Sequence, residues 1–563
     1  MITMRSLILM VLALGGLWAC DRQKFAEINT DPDAILNIPP EYEFTAALLN
    51  INANDFENYY DYNRAIYYWT QSFVSLNGNA SSVYEGSGNL NQRYSIFYTR
   101  VGNKLVDVQK LIDRMPADQK ARYVHLRAIT SIPLAYYAWY TSDVNGSLPY
   151  SQAFQARYTV PALLTPKYDT QEELYNILEN ELKASIATLK TTQTVTQVSL
   201  TDNDIYYAGD VSKWIKAANA LRLKIAFRLM KRNPDRLKSI ATDVLSDATN
   251  IMSSTADDWK FVAGEQFSSA ANRNPTSNSS VSGAKNFVDF LWKTSDPRLR
   301  VFFQASAFTK ERFDAAKQQG KIPASFTWDG QLYRGQFADP DASLNTSNSI
   351  YFSAIEYTFN GTKRTDRLPS SVQSRLFYGA FNNGTGQTTF PIITYADWCF
   401  MRAELAVRGI VGSDAEGWYY KGIDASLANY EDMARTSKLD DYKALSAAEA
   451  AAYKTQPGVA YSSATGLEQI IVQQYINYFK NQNEAWALIK RTGLPSVDGK
   501  ILALENVHQG GTLQQMPRRF SIPVPTITDL NYQNAMDAIT AQQQDASFGG
   551  PSDLTGRVWW DKP

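Results

Sequence analysis

The chain carries only two cysteines, Cys20 and Cys399, and two histidines, His125 and His508, in 563 residues. At most one disulfide can form, and the Cys/His spacings of structural zinc sites are missing, so neither a Cys/His zinc site nor a repeated disulfide framework is expected. An excess of charge of either sign is also lacking: 55 Lys and Arg stand against 56 Asp and Glu. That balance excludes the basic stripe that follows a phosphate backbone, and nucleic acid is not an expected partner. The GxSxG elbow, HExxH and Walker-type loops are absent too. No catalytic residue, cofactor or metal ligand is therefore assigned, and the chain is not expected to be an enzyme. Asp202 with Asp204 is read as a turn.

Aromatic residues are abundant, with 33 Tyr, 26 Phe and 12 Trp, and 44% of the chain is hydrophobic. Such a chain can bury one large core or two to three ordinary ones. Most rings must be core, but the surplus suits contact with sugars or peptides.

At the N-terminus, Arg5 precedes the apolar run Leu7 to Leu14 and the short stretch Gly15-Gly16-Leu17-Trp18-Ala19, with small residues just before Cys20. This is the pattern of an export signal. The uncharged run from Ser6 to Cys20 has 15 residues, short of the roughly 20 that a membrane-crossing helix needs. Ala19 directly before Cys20, with Leu17 three places before it, resembles a bacterial lipobox. That resemblance implies cleavage after residue 19 and an acylated Cys20; the alternative is an ordinary secretory signal. With Cys20 acylated, Cys399 is expected to be a free thiol.

Past the polar, proline-bearing linker of residues 20–40, helical periodicity dominates. Tyr94, Phe97, Val101, Leu105, Val108, Ile112 and Met115 follow at steps of three or four, which places them on one helical face. Thr170 and Glu173 form a capping box ahead of Leu174, Ile177, Leu178, Leu182, Ile186 and Leu189. A third helix is expected from Ser212 to Arg232, stopping before Pro234. Neighbouring helical pairs at about 41–76, 91–141 and 170–232 suggest a solenoid-like stack, although no fixed repeat length is visible. Residues 255–392 are rich in Ser, Asn, Gly and Pro, with turn signals at Asn360-Gly361 and Asn383-Gly384, and read as a loop-rich region. Helical patterns resume at 395–408, 415–433 and 467–479. The expected division is 1–19 signal, 20–40 linker, 41–254 helical scaffold, 255–392 irregular region, and 393–563 helices returning to the scaffold.

Several motifs then occur in one order. They are CDRQKFAEINTDPD at 20–33, GDVSKWIKAANALRLKIAFRL at 209–229, Asp296-Pro297-Arg298-Leu299 with Phe302-Phe303, and Tyr333-Arg334-Gly335. They continue with YADWCFMRAELAVRG at 395–409, EGWYYKGIDASLANY at 416–430, and QYINYFKNQNEAWALIKRTGLP at 474–495. Together they resemble the SusD/RagB family of nutrient-binding outer-membrane lipoproteins over nearly the whole chain. Lys490 stands where that family commonly has a second arginine, and the closing segment PRRFSIPVPTITDLNYQNA at 517–535 has Ile522-Pro523 and Thr526 in place of the usual Tyr-Pro and Glu.

The resemblance implies a mainly all-α fold of tetratricopeptide-like helix pairs with a loop-rich ligand-binding portion. It implies a lipid-anchored protein on the cell surface of the outer membrane, acting as the lid of a SusC-type TonB-dependent transporter in polysaccharide utilisation. The expected cargo is an oligosaccharide, with oligopeptide as the alternative. A helical-repeat scaffold that binds only protein would share the fold.

Of the tryptophans, Trp139, Trp214, Trp398, Trp418 and Trp486 fall in helical patterns and are expected to pack the scaffold. Trp69, Trp259, Trp292 and Trp328 remain. The expected ligand contacts are Trp69, Asn77, Asn79, Tyr84, Trp328 and Tyr333, each of which could equally be a packing ring or a turn residue.

Overall fold

In the computed structural model, residues 38–52, 57–79, 90–264 and 281–563 are described. The signal, most of the linker, Cys20 and Tyr84 lie outside them. The principal helices are α1 (Pro40–Asn52), α2 (Gly102–Asp113), α3 (Ser131–Asn145), α4 (Gln171–Lys190), α5 (Val211–Arg228) and α6 (Pro234–Ser246), followed after the loop-rich region by α7 (Tyr395–Val407), α8 (Ala415–Thr436), α9 (Gly466–Asn477), α10 (Gln482–Thr492) and α11 (Tyr532–Gln543).

Consecutive helices pack in pairs: α3 on α4, α4 on α5, α5 on α6, and α7 on α8. The sequence explains the boundaries. The Thr170 hydroxyl accepts from the Glu173 N–H while the Glu173 carboxylate accepts from the Thr170 N–H, closing the expected capping box of α4. α5 starts where the Asp210 side chain accepts from the Lys213 N–H and ends at Arg228, before Asn233 and Pro234 begin α6.

The 94–115 face is divided. An α-turn at Gln92–Ile96 passes through a π-helical turn at Phe97–Val101 into α2. Gly102 follows that turn, and a Cβ there would lie 2.5 Å from the Phe154 ring, so the ring's close approach requires glycine. The apolar positions keep their spacing, and Phe97, Val101, Leu105, Val108 and Ile112 are all buried.

Asp204 makes the turn expected of it. Its buried carboxylate accepts from the Tyr206, Tyr207 and Gly209 backbone N–H groups and from Trp214 Nε1 at 2.7 Å, locking the entry to α5.

The N-terminal and C-terminal helices share one body. Arg228 on α5 reaches Asp143 on α3 and Glu484 on α10 at 2.7 and 2.8 Å, while the Trp560 indole donates to the Asp143 carbonyl. Arg491 forks onto the buried Glu404 at 2.6 and 2.7 Å. Both carboxylates are thus structural ion-pair partners. Cys399 is a buried free thiol on α7, and burial pushes it up to about 12, which makes it inert.

The 255–392 region contains more order than its composition suggests. A two-stranded ribbon pairs β2 (Trp259–Ala263) with β6 (Thr388–Ile393), and β1 (Val74–Ser75) pairs with β3 (Val281–Ser282). The hairpin of β4 (Ile355–Phe359) and β5 (Thr362–Asp366) turns at Asn360-Gly361, both at positive φ, as the dipeptide demands. Beside it Phe308, Phe313, Ile322, Ile350, Tyr357 and Leu368 form a small core of their own.

Candidate functional site

A cleft of about 70 Å³ opens where four distant segments meet. The end of α1 brings Ile51 and Asn52, and the π-helical segment Glu57–Ile66 brings Glu57, Asn58 and Tyr62, with Tyr67 following it. Tyr136 and Tyr140 come from α3, one helical turn apart. Phe377, Phe390, Pro391, Lys480 and Asn481 close the other side, Phe390 and Pro391 lying on β6, which pairs with β2.

The rings support one another. Tyr136 and Tyr140 are stacked at 6.0 Å with 10° between planes, and Tyr136 leans on the fully buried Trp259 at 5.3 Å. Tyr62 meets Tyr67 at 5.8 Å, and the Tyr62 and Tyr140 hydroxyls share a hydrogen bond of 2.7 Å. Tyr62, Tyr136 and Phe390 are only half-buried, so each offers an accessible edge or face.

Polar groups sit among these rings. The buried Glu57 carboxylate accepts from the Tyr140 and Tyr137 hydroxyls. Burial, opposed mainly by the Arg93 guanidinium, raises its carboxyl to about 7. The Lys480 ammonium lies 5.1 Å from the Phe377 ring and 5.3 Å from the Phe390 ring, donates to the Leu376 carbonyl, and is pulled down to about 7 by burial. Asn52 donates to the Tyr206 hydroxyl at 3.1 Å. The cleft therefore combines apolar ring faces with amides, hydroxyls and two ionisable groups whose charges burial weakens near neutral pH.

Glu57 gives a testable pH dependence. Its folded pKa lies above the unfolded value, so its stabilising contribution is complete below about 4.5 and is lost as pH rises through about 7. Glu57→Gln should reduce the loss of stability between pH 4.5 and 7 relative to the parent. Urea midpoints of both proteins at the two pH values measure this, and identical pH slopes would contradict it.

Of the sequence-predicted contacts, the five among the described residues do not line this cleft. Trp69 is 7% exposed and packs with Tyr68 and Val507. Asn77 is exposed, whereas Asn79 is buried, accepting from the Ser75 N–H at 3.1 Å and donating to the Ala338 carbonyl at 3.2 Å. Trp328 is half-buried, 5.4 Å from Phe313 and beneath the Arg334 guanidinium. Tyr333 is half-buried against Trp292 at 6.2 Å.

The tryptophans point away from the cleft, whose rings are mostly tyrosines. The dense tyrosine runs ENYYDYNRAIYYW at 57–69 and AYYAWY at 135–140 are its signal in the sequence. Among the described residues, no group of three His, Cys, Asp or Glu side chains is placed to hold a metal ion, and no helix is long and apolar enough to cross a membrane.

A SusD-like family model, described as starch-binding and associating with the outer membrane, matches residues 32–523. No curated protein matches the chain. Among solved structures, a chitin-binding protein is similar at 22% identity and a TM-score of 0.68, covering 93% of this chain and all of that one. A SusD homologue from Bacteroides fragilis has 20% identity and a TM-score of 0.65, with coverage of 93% and 100%. A chitin-binding SusD homologue from Flavobacterium johnsoniae has 19% identity and a TM-score of 0.64, with coverage of 93% and 98%.

Proposed function

The chain belongs to the SusD-like family, and from that premise we propose that it is a cell-surface receptor that captures oligosaccharides and passes them to a SusC-type TonB-dependent transporter as its lid. The observation that carries this reading is the cleft of Tyr62, Tyr67, Tyr136, Phe377 and Phe390 with Asn52, Asn58 and Asn481 among the rings. Sugar rings present apolar C–H faces and polar edges, and aromatic faces with interspersed amides match both. The names of two structurally similar proteins as chitin-binding support a glycan as cargo and make chitin fragments the first ligands to try.

Acylation of Cys20 anchors the receptor to the outer membrane. A tether of this kind raises the local concentration at the transporter's mouth, so tight binding is not required. Micromolar or weaker affinity follows from a small, preformed site in which only the surplus over ordering costs appears as binding.

Calorimetric titration with a panel of soluble oligosaccharides tests the reading, with chito-oligosaccharides first. Saturable heat with at least one glycan is expected. Heat with none of them, or only with peptides, would contradict it.

A further inference from the structure

The cleft holds one lysine whose charge the fold leaves unanswered. Lys480 ends the single helical turn Tyr478–Lys480 that joins α9 to α10. Its backbone is fixed: the Lys480 N–H donates to the Tyr430 hydroxyl at 3.3 Å, and the preceding Phe479 is fully buried, its ring stacked on Phe302 at 4.0 Å. The side chain is half-buried and lines the cleft, with Nζ beside the Phe377 and Phe390 rings and donating to the Leu376 carbonyl. That carbonyl is its one protein acceptor among the described residues. An ammonium carries more donors than one carbonyl can satisfy.

Elsewhere the fold compensates its buried cations. Lys224 has Glu484 at 3.3 Å and Asp397 at 3.6 Å, Arg298 has Asp296 at 2.7 Å, and Arg228 and Arg491 have the carboxylates described above. Lys490 and Arg519 lack such a partner, but they donate to backbone carbonyls and line no part of the cleft. Among the described residues no carboxylate stands within ion-pair distance of Lys480, and burial, opposed by no charge, pulls its amine down to about 7. Two phenyl rings offset only part of the cost of taking a cation out of water. A lysine left that way in a ligand cleft points to an anion supplied from outside.

The other charge in the cleft does not oppose this. Glu57 is the one carboxylate among the lining residues, and it is engaged by the Tyr137 and Tyr140 hydroxyls with Arg93 nearby. Burial weakens its charge near neutral pH, and it exerts no pull on the Lys480 amine. A pyranose held by the Phe390 ring therefore brings its exocyclic substituents within reach of an ammonium that has no competing anion.

We infer that the captured glycan is acidic, an oligosaccharide bearing a uronate carboxylate or a sulfate ester whose anionic oxygens pair with the Lys480 ammonium while a sugar ring lies against Tyr136 or Phe390. This rests on the receptor function proposed above and narrows its cargo. A charge-assisted hydrogen bond in a partly desolvated cleft discriminates strongly, because the neutral analogue leaves the ammonium buried and unpaired.

Calorimetric titration of the full chain with matched acidic and neutral glycans tests this. The pairs are galacturonate oligomers and their methyl esters, xylo-oligosaccharides with and without glucuronate, and sulfated and desulfated forms of one oligosaccharide. In at least one pair the acidic member should bind at least tenfold more tightly, and the pair that responds tells carboxylate from sulfate. Lys480→Met keeps an apolar stem without the charge and should lower the ratio of the two affinities at least tenfold. Equal affinities within every pair, or a preference that survives in Lys480→Met, would overturn the inference. Saturable heat from neutral chito-oligosaccharides with none from any acidic glycan would also overturn it, while leaving the receptor reading intact. Heat from no glycan at all defeats both.

Discussion

Arg228→Met should destabilise the protein by about 3–5 kcal/mol, the cost of leaving buried carboxylates without their partner. Arg228 is buried, forked onto Asp143 and bonded to Glu484, and its guanidinium lies over the rings of Trp139 and Trp560 at 4.7 and 5.2 Å. Burial would raise the Glu484 carboxyl, but Arg228 first and Lys224 second hold it below the ordinary range. Methionine keeps most of the volume and removes the charge, so two carboxylates lose their main counterion at once. Arg228→Lys keeps a charge but not the planar fork, and its loss should be smaller. Urea unfolding of the three proteins measures the series. A cost below about 1 kcal/mol for the methionine variant would contradict the view that this ion network joins the N-terminal and C-terminal helices.

The second large effect concerns binding. Tyr136→Leu together with Phe390→Leu keeps the cleft apolar and close to its original volume but removes two ring faces. A stacked ring contributes about 1–3 kcal/mol in comparable recognition of flat ligands, so the pair should lower oligosaccharide affinity by tenfold at the very least. The fold should tolerate the change better than alanine, because volume-conserving apolar exchanges usually cost less than about 1.5 kcal/mol. Titration of parent and variant with the same glycan reads the effect. The matching exchange at Trp328 and Tyr333 should leave affinity unchanged; the reverse pattern would place the site on the residues that the sequence suggested.

The difference between what the sequence reveals and what it hides has a physical basis. Features decided within a few residues were legible: the Thr170–Glu173 capping box, the Asn360-Gly361 turn, the Asp204 turn and the stop before Pro234. So were the helical tryptophans as packing residues, since Trp139, Trp214, Trp398 and Trp486 are buried. Trp418 is the partial exception, half-exposed between Arg402 and Lys421.

The cleft was not legible, because its walls come from residues about 51–67, 136–140, 377–391 and 480–481 and exist only after the two helical groups close on each other. Trp259 illustrates the difficulty. It lies outside the helical patterns and resembles a candidate contact in sequence, yet it is fully buried behind Tyr136 and acts by supporting a lining ring. Asn79 likewise reads as a loop amide but spends its side chain on the backbone of Ser75 and Ala338. Lys490, where the family resemblance leads one to expect arginine, lies 3.8 Å from the Trp486 ring and donates to the Arg518 carbonyl. It serves packing next to the C-terminal segment and does not reach the cleft.

The proposed function requires oligosaccharide to be held between Tyr62, Tyr136 and Phe390, with Glu57, Lys480 and Asn481 close to its polar edges. A crystal structure of the protein with the glycan that gives saturable heat tests it most directly. Sugar density is expected in that cleft, with at least one pyranose face against an aromatic ring. Density confined to the surface around Trp328 and Tyr333, with the cleft holding only water, would contradict it.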